Sequence, residues 1–194
     1  MSFPVPATLG GHPAPGAEPV GGTHPARAVV DLGAIEDNIA VLRGAAPTAE
    51  VMAVVKADAY GHGLVPVARA ALDAGATWLG VAQLGEALEL RAGLAEAGAG
   101  PAPRILTWIF APGAPLDAAL RADLDLSASA PWAVAEIAAA ARATGRRARV
   151  HLKVDTGMGR GGARPEAFGE LVDAALTARA EGTVDVVGIW SHLA

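Results

Sequence analysis

A short apolar run followed by a stretch of helical periodicity recurs along this chain at a spacing of about 25 to 30 residues. Strand and helix alternating at that spacing imply parallel strands joined by right-handed crossovers. The runs at 51–55, 78–82, 105–109, 124–127, 148–154 and 184–190 read as strands. Helices are expected at 65–73, from Leu84 to Leu94, at 116–121, at 131–144 and from Pro165, where Phe168, Leu171, Val172, Ala175 and Leu176 share one face. An opening unit precedes them: a strand at 28–30, then a helix capped by Asp31 with Ile35, Ile39 and Leu42 at helical spacing. Gly44, Gly75 and Gly145 read as helix stops.

Six strands of one rhythm suit a (β/α)8 barrel of the TIM type, which takes eight strands and typically about 250 residues. The chain has 194 residues, and its last strand has no helix after it. The expectation is an incomplete α/β barrel over 26–194, cut off two strands before closure. A doubly wound open sheet is the competing architecture. The G-x-G-x-x-G turn that such sheets use for dinucleotides follows none of the strands.

Composition removes other classes. Hydrophobic residues make up 52% and aromatics 4%, so the core must be built from Ala, Val, Leu and Ile. There is no cysteine, which excludes disulfides, thiolate metal sites and cysteine nucleophiles. A net charge of −5 argues against a nucleic-acid footprint. No apolar run approaches the roughly 20 residues of a membrane helix, and the N-terminus lacks the pattern of a secretory signal. The expected location is cytoplasmic. Residues 1–25 are rich in Pro and Gly without periodicity, which predicts a disordered tail. Its histidines, His12 and His24, lack the spacing of a metal site.

The chemistry gathers at strand ends. The run at 51–55 delivers Lys56 to a short turn, Ala57-Asp58-Ala59-Tyr60-Gly61-His62-Gly63. A lysine with its stem in an apolar wall can act as an amine nucleophile or base; the plain alternative is a lysine snorkelling into water. Further on, Arg147, Arg149, His151 and Lys153 alternate with apolar residues, so one face of that strand is cationic. Inside a barrel that face demands an anion: a carboxylate, a ligand phosphate or a modified side chain. The alternative is an edge strand with a solvated polar face. A Gly-rich loop carrying Arg160 follows, and Ser191-His192 follow the final strand. In a parallel barrel these ends open on one face, where Lys56, Lys153, Arg160 and His192 should converge.

The stretches Val-Val-Lys-Ala-Asp-Ala-Tyr-Gly-His-Gly (54–63), His-Leu-Lys-Val-Asp-Thr-Gly-Met-Gly-Arg (151–160) and Ser-His-Leu-Ala (191–194) resemble the alanine racemases, in the order and spacing of that family. The resemblance implies pyridoxal 5′-phosphate as cofactor, held by a Schiff base to Lys56. It implies Tyr60 at the phosphate, His192 against the pyridine ring, and Arg160 near the phenolic oxygen and the substrate. It also implies Lys153 as a carbamylated, anionic partner of Arg160. Val54, two residues before Lys56 on the same strand face, should line the pocket.

The implied reaction interconverts L- and D-alanine, the source of D-alanine for cell-wall peptidoglycan. The cofactor draws electrons from Cα, and Lys56 moves the proton on one face. The opposite face needs a second base, a tyrosine of the partner subunit's second domain in this family. The one tyrosine here is Tyr60. The family's later phosphate contacts, the arginine facing the pyridine nitrogen and the C-terminal β-domain have no counterpart in these residues. The expectation is therefore an N-terminal fragment that is inactive alone, from an enzyme that is a homodimer when whole. A non-catalytic barrel for pyridoxal phosphate binding or homeostasis is the alternative, and a decarboxylase of the same barrel class fits less well.

Overall fold

Parallel pairing runs through the whole sheet. The computed structural model describes residues 28–98, 100 and 102–193; the tail expected at 1–25, with His12 and His24, lies outside them. In chain order the elements are α1 (Leu32–Ala45), β1 (Met52–Val54), α2 (Lys56–Gly61), α3 (Leu64–Asp73), β2 (Trp78–Gln83), α4 (Leu84–Glu96), β3 (Arg104–Ile109), α5 (Leu116–Arg121), β4 (Asp125–Ala128), α6 (Pro131–Thr144), β5 (Ala148–Lys153), α7 (Pro165–Ala180) and β6 (Val184–Trp190).

The six strands lie side by side in their order along the chain, and every neighbouring pair is parallel. A doubly wound sheet reverses its strand order at a switch point. This sheet never reverses, as in the wall of a (β/α)8 barrel. β1 and β6 form its two edges among the described residues.

Strand periodicity divides the side chains into two sets. Leu79, Val81, Ile105, Leu126, Val150 and Leu152 pack in one buried cluster with Ala68, Ala87, Leu90, Ala119, Ile137 and Leu171 from the helices. Alanines at helix–sheet contacts let the helices sit close, which is how a chain so poor in aromatics fills its core. Each fully buried leucine contributes about 1.5–3 kcal/mol. The other set, including Met52, Leu106, Trp108, His151 and Lys153, faces inward and forms the site.

The expected elements are present with end shifts of one or two residues, except at the start. Residues 28–30 form no strand. A strand needs a neighbour for its backbone groups, and Val29 is exposed with none beside it. Asp31 does cap α1, accepting from the Ala34 N–H at 3.2 Å. Gly44 lies inside α1 and does not end it, whereas Gly145 closes α6 in the left-handed conformation, φ 64°.

Candidate active site

Lys56 stands one residue beyond the end of β1, after Val55. The Val55 N–H still donates to Gly80 O of β2 at 2.9 Å, so the strand is held up to the residue before the lysine. The chain then turns left-handed. Ala57, Asp58, Ala59 and Tyr60 have φ values of 55°, 52°, 50° and 58°. Each such residue costs about 1–2 kcal/mol relative to a right-handed turn when it carries a Cβ. Four in a row persist because surrounding groups over-determine them. Glu86 Oε1 accepts from the Ala57 N–H at 2.6 Å, and Asp58 Oδ1 accepts from the Leu64 N–H at 2.6 Å. His62 Nδ1 lies 2.7 Å from Ala59 O, which ties that histidine to the turn itself. The result places the Tyr60 ring 5.9 Å from Lys56 Nζ.

The cationic face of β5 points inward, and β5 lies between β4 and β6, so it is no edge strand. His151 and Lys153 are buried. The anion that the pattern demanded is Asp125 of β4, wholly buried, which accepts from Arg149 Nε and from Arg104 Nε, the latter at 2.7 Å. Arg149 also reaches the Asp123 carboxylate at 2.7 Å. Arg147, expected on the same strand face, lies just before β5 and pairs with Asp185 at 3.3 Å. Arg104 lies over the Trp78 ring at 4.3 Å, and His151 meets the same ring edge-on at 5.5 Å. Burial lowers the His151 pKa from the ordinary histidine range; Asp125 opposes this, and Arg104 and Arg149 add to it.

Asp125 neutralises the deeper half of this face and not the upper half. Lys153 Nζ lies 4.5 Å from the centre of the Trp190 ring. Burial first, then the charge of Arg160, lowers its pKa. Trp190 is held by its indole N–H, which donates to Ser127 Oγ at 2.9 Å. An extra residue in β6, Val187, shifts the register so that Gly188 pairs with His151. A Cβ on Gly188 would lie 2.5 Å from His151 Nδ1, so the ring occupies the place of a side chain.

The Gly-rich loop is closed at its base. Asp155 N–H donates to Ala163 O, and Ala163 N–H to Lys153 O, each at 2.8 Å. Asp155 Oδ1 accepts from the Gly157 and Gly159 amides at 2.9 and 3.1 Å, and those bonds hold its pKa below the ordinary carboxylate range. Gly162 is needed at the closure, because a Cβ there would meet the Asp155 backbone nitrogen at 2.6 Å. Arg160 stands exposed on this loop, and Thr156 Oγ1 ties it to Ser191 Oγ at 2.7 Å.

One cavity of about 450 Å³ is lined by all six residues expected at the site: Val54, Lys56, Tyr60, Lys153, Arg160 and His192. Trp108, His151 and Trp190 join them, as do Met52 and Leu106. The indole of Trp190 beside Lys153 had no signal beyond its place at a strand end. Of the residues that brace the Lys56 turn, Asp58 lies within the 54–63 stretch, and Glu86 carries only the local pattern of a capping box with Gln83 at the start of α4, which does not point to the turn.

The profile of the family described as "Alanine racemase, N-terminal domain" matches residues 30–194. The alanine racemase of Beutenbergia cavernae is 69% identical over 172 residues, which cover 89% of this chain and 44% of that protein. Among solved structures, the alanine racemase of Streptomyces coelicolor A3(2) superposes with a TM-score of 0.81 at 55% identity, over 85% of this chain and 43% of that one. The histidine racemase of Leuconostoc mesenteroides superposes with a TM-score of 0.73 at 29% identity, over 84% of this chain and 42% of that one. The chain thus spans less than half the length of these relatives. Sequence, sheet order and cavity agree, and the chain belongs to the family of the alanine racemase N-terminal domain.

Proposed function

We propose that this chain is the cofactor-binding half of a pyridoxal-phosphate-dependent alanine racemase, with Lys56 as the residue that carries the cofactor. The observation behind this reading is the convergence of Lys56, Tyr60, Lys153, Arg160 and His192 on one cavity. Its size lies in the range of small-molecule sites. Its chemistry suits a flat aromatic aldehyde bearing a phosphate: an amine in the wall, apolar sides at Val54 and Leu106, and a phenol and a guanidinium exposed at the rim.

Bound pyridoxal phosphate supplies an electron sink that makes the substrate Cα–H acidic. Lys56 would hold the cofactor and, as a free amine, would take or return the proton on one face of the substrate Cα. Tyr60 would hold the phosphate and His192 would lie against the pyridine ring, while the planar donors of Arg160 would serve the phenolic oxygen and the substrate side. Lys153, as a neutral amine, adds carbon dioxide and releases a proton to become a carbamate. That change turns a repulsion from Arg160 into an attraction. The second proton-transfer group, the homodimer and a cytoplasmic location belong to the same reading, as does alanine as substrate. No helix among the described residues is long and apolar enough to cross a membrane.

Borohydride reduction of the chain mixed with pyridoxal phosphate, followed by peptide mapping, tests the reading. The pyridoxyl group is expected on Lys56. Labelling on the chain's other lysine, Lys153, or on the N-terminal amine, or labelling unchanged in Lys56→Ala, overturns it.

A further inference from the structure

The geometry points to Glu86 as the positioning residue for Lys56, acting through the backbone rather than by touching the cofactor. This rests on the functional reading above. Lys56 lies between two anchored peptide groups. On one side, the Val55 N–H donates to Gly80 O of β2 at 2.9 Å. On the other, the Ala57 N–H donates to Glu86 Oε1 at 2.6 Å. The second oxygen of the same carboxylate accepts from the Gln83 N–H at 3.0 Å, at the start of α4. One side chain therefore locks the first peptide of the Lys56 turn to the junction of β2 and α4, 29 residues away.

The turn needs this lock at its first residue. Ala57 is the point where the backbone enters the left-handed region, at φ 55°. Asp58 and His62 fix the later part of the turn through Leu64 and Ala59. Among the described residues only Glu86 holds the Ala57 amide. Without it, an alanine at positive φ has every reason to relax, and the peptide bond it shares with Lys56 turns with it. The lysine would keep its amine and lose its direction, so its reaction with an aldehyde in the cavity would slow.

Two measurements on the 194-residue chain test this. The first is amide hydrogen exchange by NMR without cofactor, in Glu86→Ala, Glu86→Gln and wild type. The Ala57 amide is expected to exchange about tenfold faster or more in Glu86→Ala, as one charge-assisted bond is lost, while the Val55 amide stays protected. The second is the rate at which borohydride traps pyridoxal phosphate on Lys56, expected to fall about tenfold in parallel. Glu86→Gln should lie between, because its amide oxygen can accept one of the two bonds. Asp31→Ala, which removes a helix cap on α1, controls for lost stability and should leave both measurements unchanged. If Glu86→Ala does not fold, Glu86→Gln against wild type carries the same comparison. Ala57 protection lost with Lys56 trapping unchanged overturns the Glu86 proposal alone. No Lys56 labelling in the wild type overturns the functional reading instead.

Discussion

Lys153 Nζ rests 4.5 Å from the centre of the Trp190 ring, with its pKa lowered by burial and then by Arg160. An indole face attracts the charged form of an amine, but burial and the neighbouring Arg160 charge outweigh it and favour the neutral form. The sign is definite. A lysine lowered on folding binds fewer protons folded than unfolded, so it costs stability at neutral pH. That cost falls as pH rises from the lowered value to the ordinary lysine range. In buffers free of carbon dioxide, Lys153→Met should therefore be more stable than wild type near neutral pH, and the gain should shrink at alkaline pH. With labelled bicarbonate, a carbamate carbon should appear in the NMR spectrum and vanish in Lys153→Met. A stability difference that grows with pH would contradict this account.

His151 titrates in the opposite environment to an exposed histidine. It faces Asp125, Arg104, Arg149 and Trp78, and burial lowers its pKa. The unfolded chain takes up a proton in the ordinary histidine range and the folded one resists, so stability falls as pH drops through that window. Denaturant midpoints between pH 8 and 5 should show this loss in wild type and a flatter profile in His151→Gln. Gly188→Ala adds a Cβ 2.5 Å from His151 Nδ1 and should cost about 1–3 kcal/mol by forcing the ring aside. In a His151→Ala background the same change should cost much less, a coupling that a double-mutant cycle reads directly.

Asp125 carries the charge balance of the barrel floor. It is wholly buried and takes bonds from both Arg104 and Arg149. Replacing it with alanine strands two guanidinium groups. Removing one partner of a fully buried pair is strongly destabilising, but these arginines are partly wet, so Asp125→Ala should cost about 2–4 kcal/mol. Urea unfolding measures it. A cost below that of an exposed ion pair would show that the arginines find other partners.

The strands were legible because each faces two environments, and a period of two survives in residues such as Arg149, His151 and Lys153 set against Val150 and Leu152. The convergence of Lys56, Arg160 and His192 followed from topology, since parallel strands end on one face. The left-handed turn was not legible. Ala-Asp-Ala-Tyr contains no glycine, and alanine prefers the right-handed helix; the amide of its first residue is held by Glu86, on another element. Asp125 was hidden in a similar way. Within the expected strand Leu124-Asp125-Leu126-Ser127 it is simply one of two alternating polar residues, and only the neighbouring strand shows that it answers Arg149. The strand expected at 28–30 failed for the reverse reason: local pattern favoured it, and no partner strand lay beside it.

Racemisation needs proton transfer on both faces of Cα, and in the proposed function Lys56 serves one. The chain's one tyrosine, Tyr60, lies at the cavity rim 5.9 Å from Lys56 Nζ, on the same wall. A single base gives exchange without inversion. In deuterated water with pyridoxal phosphate, this chain alone should replace the α-hydrogen of one enantiomer of alanine by deuterium, leave the other enantiomer untouched, and convert neither. Proton NMR of the α-signal follows the exchange, and chiral chromatography follows inversion. Lys56→Ala should lower the exchange rate by about 10² or more, the share of a positioned general base. Inversion at a rate comparable with exchange would mean that a second base lies within these residues, with His151, Lys153 and His192 as the titratable groups on the cavity to test next.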